Sequence, residues 1–466
     1  MKKFSKSQWI RFSMWAVVYV LFAVWMQNLW LLAGLAVIAD VFLTKFIPWG
    51  GWKKSKNAAV RSVMGWVDDI MFALVAVYLI NLFVFQNYQI PSSSLEKSLL
   101  VGDYLFVSKM SFGPRVPNTP LSFPLVQNTL PVLECDSYLD WPIWDYKRVK
   151  GFGKVKRNDI VVFNFPAGDT VALKRQNPDY YTSVAEAGRA AVWLDKAQYG
   201  DIVYRPVDKR ENFVKRCIGM PGDKLEVRDN QVYINGTAAE NPENMQFNYY
   251  VETNGSMLTE EHFRLLEVSR DDRMMVSGGM YGSGTLSYLG FTANEAGKFN
   301  PVYALPLTKK AVAVAEKLPI VTKVIIQPDA LFGNTYYPVD YHTGWTRDNY
   351  GPIWIPKKGE TIELNETNLA LYHRCIRNYE NNTLEVKGGT AYINGEAATT
   401  FTFKYDYYWM MGDNRHNSAD SRSWGFVPED HIVGKPILIW LSLDKDRSLF
   451  DGGIRWERLF RKVHAD

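Results

Sequence analysis

The chain has 466 residues, 47% hydrophobic and 22% charged, with a net charge of +4, long enough for several domains or for one domain with large insertions. The basic excess is too small and too scattered for a nucleic-acid-binding surface. Three cysteines, Cys135, Cys217 and Cys375, make no disulfide framework, and without Cys/His ligand spacing, HExxH, GxxxxGK or GxGxxG neither a metal nor a cofactor is expected.

Apolar runs dominate the start of the chain. Phe12 to Met26 is free of charge, Gln27 and Asn28 interrupt it, and Leu29 to Leu43 is apolar again except for Asp40. A third run, Ile70 to Phe85, has only Asn81 as a polar residue. Each is slightly short for a spanning helix of about 17 to 25 residues, but Trp9, Trp49, Trp52 and Trp66 extend the runs to headgroup depth. Lys2, Lys3, Lys6 and Arg11 precede the first run, and Lys53, Lys54, Lys56 and Arg61 lie before the third. Keeping both basic groups in the cytoplasm predicts three transmembrane helices, an external turn at Gln27–Asn28 and an extracytoplasmic remainder after Tyr88. A single span from Phe12 to Leu43 is the alternative, with the N-terminal lysines outside. A cleaved leader fits less well, because Phe12–Met26 is followed by another apolar run and no small-x-small site.

Four later segments stand out. Ile90–Lys109, IPSSSLEKSLLVGDYLFVSK, is a serine turn leading into an alternating strand. Lys156–Pro166, KRNDIVVFNFP, is a basic turn and a hydrophobic strand. Asn212–Val227, NFVKRCIGMPGDKLEV, is a strand that breaks at Gly219 and turns at Pro221-Gly222-Asp223. Met410–Pro436 opens on Gly412-Asp413-Asn414 and is rich in hydroxyls. Their residues permit serine–lysine chemistry. A serine hydroxyl attacks a carbonyl only when a base removes its proton. A lysine serves as that base once apolar surroundings lower its pKa from about 10.4 toward neutrality. Lys215 has such neighbours in Phe213, Val214, Cys217 and Ile218.

In this order after membrane spans, the four segments resemble the signature segments of bacterial type I signal peptidases; the GDNRxNSxDSRxWGxVP pattern of Gly412–Pro428 is the most specific. They cover under a quarter of the chain. The resemblance implies Ser94 as nucleophile and Lys215 as general base. It gives Ser92 a hydroxyl in the oxyanion hole and Ser418 a hydrogen bond that orients Lys215. Arg216, Asp413, Asp420 and Arg422 become supporting ion pairs, and Ile90, Leu95, Leu99, Phe213 and Val214 line shallow pockets for small side chains. The implied activity is a serine endopeptidase that removes signal peptides from exported preproteins, at the outer face of the cytoplasmic membrane, through an acyl-enzyme. Preproteins, membrane lipid and the protein-export machinery are the implied partners. One departure stands inside the motif. Where many members have Met-x-Pro-Thr-Leu after the nucleophile, this chain has Leu95-Glu96-Lys97-Ser98-Leu99.

Other arrangements compete. Ser94-x-x-Lys97 has the spacing of penicillin-recognising enzymes, but the further elements of that family are missing apart from a poor match at Lys387-Gly388-Gly389. His416, two residues before Ser418, invites a Ser–His pair; its polar neighbours predict a solvated imidazole. A self-cleaving repressor-type protease needs a DNA-binding head, and an inactive scaffold would not need both Ser94 and Lys215.

The expected fold is a mainly β catalytic domain with inserted α/β accessory segments, preceded by N-terminal transmembrane helices. The predicted limits are 1–88 for the anchor, 89–236 for the first part of the β-core, 237–370 for an inserted subdomain, and 371–466 for the rest of the core with a C-terminal helix. Residues 114–154 and 167–211 are further insertions, the second with a helix near Val184–Ala197. Helical patterns also cover Thr259–Val268, Thr308–Leu318 and the basic amphipathic Ile454–Val463. Finally, Arg216-Cys217-Ile218 with the hairpin to Asn235-Gly236 has a near-copy in Arg374-Cys375-Ile376 and the hairpin to Asn394-Gly395. The second copy has His373 where the first has Lys215.

Overall fold

The computed structural model describes residues 4–463 except 167, 169, 278–282, 295–296, 332–335, 340 and 449–450, so Lys2 and Lys3 lie outside the described residues. Two compact units share the chain: Met1–Gln86 with Lys109–Lys154, and Asn87–Ser108 with Val155–Asp466. Residues 109–154 therefore belong with the anchor and not with the β-core, as their sequence position had suggested.

In the first unit, Ser5 and Gln8 form a reciprocal cap on the helix Lys6–Trp25. Asn57 caps the longer helix Ala58–Phe83. Both are long and apolar enough to cross a membrane. The middle run is not a third regular helix. Leu29–Thr44 passes from a 3-10 turn (Leu29–Gly34) through one α-turn (Leu35–Ala39) into a π-turn (Asp40–Thr44), and at helical rises it covers about 27 Å. It returns alongside the first helix: Gly34 lies where any Cβ would strike the Tyr19 ring, and Gln8 Nε2 donates to the Phe42 carbonyl at 3.3 Å. Phe83 meets Phe22 and Trp25, with ring centroids 5.5 and 5.9 Å apart, so both long helices end on one side. Residues 109–154 dock on that same end. Val116 and Val149 pack with Met26, Trp25 donates to the Lys150 carbonyl at 3.0 Å, and Lys147 to the Gln27 carbonyl at 3.1 Å.

The main sheet of the second unit runs Asp103–Ser108, Ile432–Ser442, Ile160–Asn164, Asn212–Gly219, Tyr407–Met411, Val427–Pro428. Hydrophobic alternation makes Asp103–Ser108 half-buried, while Ile160–Asn164 is buried throughout. A hairpin, Lys224–Arg228 with Gln231–Ile234, pairs with Tyr350–Trp354, and its Leu225 and Val227 join an aromatic core around Trp409, Tyr407 and Phe426. The inserted sheet has the order Met274–Met275, Val302–Thr308, Gln246–Thr253, Val321–Ile326. Helices Glu260–Leu265 and Lys309–Ala315 accompany it, where their patterns predicted them.

Three expectations need correction. The stretch near Val184–Ala197 is three short helices, Tyr180–Ala187, Arg189–Leu194 and Lys196–Tyr199, because Gly188 and Asp195 break it. Ile454–Val463 is not an amphipathic helix: beyond the 3-10 turn Trp456–Arg458, Arg461–Lys462 pairs with Leu438–Ile439 as an edge strand. Arg458 points inward because its guanidinium forms a buried pair with Asp103, at 3.0 and 2.5 Å. The two near-copies agree only in their hairpins. Asn235-Gly236 and Asn394-Gly395 both turn with positive φ, the conformation a two-residue hairpin loop requires. In contrast, Arg216-Cys217-Ile218 lies in a strand, whereas Arg374 ends the helix Glu366–Arg374 and Cys375 opens a π-turn.

Candidate active site

Asn212–Gly219 is a central strand, with Val161 opposite Lys215 on one side and Met411 opposite Arg216 on the other. Alternation therefore sends Lys215 and Arg216 to opposite faces. Ser94 sits in the 3-10 turn Ser93–Leu95 that follows the extended Ser92. The fold closes a 121-residue gap between them: Lys215 Nζ lies 2.6 Å from Ser94 Oγ. Both are buried, at 4% and 7% exposure. Burial pushes the Lys215 ammonium down to about 8, against the opposing pull of Asp420 and Asp413. A lysine in this setting can shed its proton near neutral pH and accept another from the hydroxyl beside it.

Arg216, Asp413, Asp420 and Arg422 form two buried ion pairs. Arg216 grips Asp413 through two bonds of 2.8 Å, and Arg422 grips Asp420 at 2.9 and 2.8 Å. Asp420 also accepts the Gly412 N–H at 3.1 Å. Burial alone would raise the Asp420 carboxyl, but Arg422 and these hydrogen bonds leave it below its usual value. Gly412 allows close approach: a Cβ there would stand 2.6 Å from the Ser94 carbonyl oxygen.

Sequence reasoning missed the residues that tie this loop to the serine turn. Ser98 donates to Asp413 at 2.7 Å and accepts from Arg216 at 3.3 Å. The Asn414 N–H donates to the Ser94 carbonyl at 3.1 Å. A serine 315 residues away from its partner carries no local signal.

Other predicted residues divide. Ile90, Leu95 and Leu99 form one buried cluster with Leu105 and Val107, and Val214 packs against it. Phe213 is elsewhere, stacked 4.6 Å from Phe165 and edge-on to Trp424, because its alternation partner is Lys215 and not Val214. Ser92 is exposed, and its hydroxyl makes no hydrogen bond among the described residues. Ser418 is not bonded to Lys215; its hydroxyl donates to the Ala419 carbonyl at 3.4 Å. Lys97 points away from the serine, toward the Glu267 carbonyl. His416 is not solvated. Its side chain is fully buried, accepting the Asn248 N–H at 3.1 Å and lying 3.2 Å from Asp348, and burial pushes its imidazole down to about 4. Cys217 and Cys375 are buried free thiols. Among the described residues no His, Cys, Asp or Glu cluster could hold a metal ion.

Residues 63–281 and 355–441 match the signal peptidase family, peptidase S26. Similar proteins named signal peptidase I share low identity over long alignments. The chain is 23% identical over 385 residues to that of Buchnera aphidicola from Acyrthosiphon pisum, covering 83% of the chain and 77% of the relative. It is 22% identical over 428 residues to that of the Baizongia pistaciae strain, covering 91% of each. For Haemophilus influenzae the identity is 23% over 412 residues, covering 88% of the chain and 79% of the relative.

Proposed function

Because the chain belongs to the signal peptidase family, peptidase S26, we propose that it is a signal peptidase I, a membrane-bound serine endopeptidase that removes signal peptides from exported preproteins with Ser94 as nucleophile and Lys215 as base. One observation carries the assignment of the pair: a buried serine hydroxyl and a buried, desolvated lysine amine 2.6 Å apart, with no other base bonded to that hydroxyl among the described residues. Neutral Lys215 takes the hydroxyl proton as Ser94 Oγ attacks the scissile carbonyl. The Ser94 N–H and the unengaged Ser92 hydroxyl receive the oxyanion. Protonated Lys215 then passes its proton to the leaving amine, the signal peptide remains as an ester on Ser94, and a water activated by Lys215 releases it. Ser418 orients the amine only if its hydroxyl turns from the Ala419 carbonyl to Lys215. Ile90, Leu95, Leu99 and Val214 floor the pocket for small side chains, and Phe213 lies outside it against Phe165 and Trp424.

The same reading sets the topology. The two long helices end side by side, and Leu29–Thr44 leads back toward the first helix's start. These contacts support a three-pass anchor with Gln27–Asn28 outside, Lys53 and Lys54 inside, and the β-unit on the extracytoplasmic face of the cytoplasmic membrane. The export machinery is the partner such a location supplies.

Incubating the detergent-solubilised chain with a preprotein, and reading the new N-terminus by mass spectrometry, tests the function. Wild type should release one product cut after a small residue, and Ser94→Ala and Lys215→Ala should release none. Cleavage by either variant would remove the Ser–Lys assignment.

A further inference from the structure

Residues 114–154 expose more large apolar side chains than an appendage in water keeps. We propose that this segment is a hairpin lying on the bilayer surface, its apolar side chains seated among headgroups and upper acyl chains. The proposal rests on the reading of the two long helices as membrane spans; on the proposed topology the surface is the outer one.

The segment is two antiparallel lines of chain. At its base the Val149 N–H donates to the Pro114 carbonyl and the Val116 N–H to the Lys147 carbonyl, both at 2.9 Å. Farther out, the Trp144 N–H donates to the Asn118 carbonyl at 2.8 Å and the Leu139 N–H to the Leu121 carbonyl at 2.9 Å. Thr129 pairs with Asp136 near the tip. A ribbon two strands wide has no interior of its own and is marginal in water. Phe123, Leu125, Leu133, Leu139 and Trp141 are each more than half exposed, and Val132 at the tip is 96% exposed.

Three observations make lipid the occupant of this face. The first is continuity with the spans. Val116 and Val149 pack with Met26, Trp25 donates to the Lys150 carbonyl, and Lys147 donates to the Gln27 carbonyl. The ribbon thus starts where the first helix leaves the bilayer, the depth at which tryptophans concentrate, and it carries Trp141 and Trp144. The second is charge. Five cations, Arg115, Lys147, Arg148, Lys150 and Lys154, stand against four carboxylates, Glu134, Asp136, Asp140 and Asp145. With the charges nearly balanced, apolar contact supplies the attraction. The third is the six prolines at 114, 117, 120, 124, 131 and 142. Each removes an N–H, so the ribbon's edges offer no continuous row of donors for pairing with another chain.

The tip supplies its own probe site, because Cys135 is exposed while Cys217 and Cys375 are buried. The full chain, labelled at Cys135 with the polarity-sensitive dye NBD, is reconstituted alone into phosphatidylcholine vesicles, with and without phosphatidylglycerol. Nitroxide-bearing phosphatidylcholine should quench the dye. Iodide should quench it about 5-fold less than in a variant combining Val132→Ser, Leu133→Ser, Leu139→Ser and Trp141→Ser. About 0.5 M salt should change neither result, since screening acts on charges and not on apolar contact. A wild-type dye quenched by iodide and untouched by the nitroxide lipid overturns the proposal and leaves the face to a protein partner. Shielding from both quenchers that grows with the protein-to-lipid ratio overturns it in favour of a second copy. The wild-type measurement stands even where the variant fails to fold. Nitroxide lipid acts from either leaflet, so external labelling near Lys54 would reject the topology separately and leave the lipid contact standing.

Discussion

Varying pH tests Lys215 as the base by two independent routes. With its pKa near 8, the neutral amine is about 1% of the population at pH 6, about 10% at pH 7, about 50% at pH 8 and about 90% at pH 9. The value of kcat/KM for a preprotein should therefore rise about tenfold per pH unit below 8 and level off above it. The second route needs no substrate. Folding lowers this lysine from 10.5 to about 8, a cost of about 3 kcal/mol to the charged form. Between those two pKa values the unfolded chain holds a proton that the folded chain has lost, so stability rises with pH through that window and is flat on either side. Lys215→Met removes this dependence. Denaturant titrations at pH 7 and pH 10.5 should show the stability of wild type, measured against Lys215→Met, improving by about 3 kcal/mol. An unchanged difference, together with activity rising through a pKa near 6 or above 10, would mean that Lys215 is neither desolvated nor the base.

Gly412→Ala should cut kcat about 100-fold or more, since its Cβ would press on the Ser94 carbonyl and on Ser418; near wild-type turnover would show that this approach is dispensable. Asp413→Ala removes the carboxylate that grips the guanidinium of Arg216, which has no exposed surface, and should destabilise the chain by about 3 to 5 kcal/mol in denaturant titration. His416→Ala should lower stability by about 2 kcal/mol and leave the acid limb of the pH–rate curve in place; a displaced limb would return the histidine to the chemistry. Single cysteines placed near Asn28 and Tyr88 should label from outside and one near Lys54 only from inside, and external labelling at Lys54 would reject the three-pass arrangement.

Much of this site was legible because its signals are local. A serine turn after Pro91, a lysine flanked by apolar residues and the Gly412–Pro428 loop each reveal themselves within a few positions. The two hairpins were equally readable, since Asn-Gly fixes the turn by backbone conformation alone. The reading failed where a residue's environment comes from distant chain. His416 stands among polar neighbours in sequence, yet Asn248, Asp348 and the Phe247 ring enclose it. The basic periodicity of Ile454–Val463 suggested a helix; Asp103, brought in by the sheet, captured Arg458 and left the segment extended.

The sequence by itself determined the family and the apolar anchor and pointed to Ser94 and Lys215 as the proposed pair, since each depends on residue type at short spacing. Only the tertiary structure decided what those residues touch. Strand pairing set Lys215 beside Ser94 and Arg216 against Asp413, 197 residues apart. It put Phe213 in a different layer from Val214, turned Ser418 away from the lysine, and joined Lys97 to the insertion. The physical reason is that periodicity and turn chemistry act along a few residues of backbone, whereas burial, ion pairing and a shifted pKa arise from surfaces that meet only when the chain has folded.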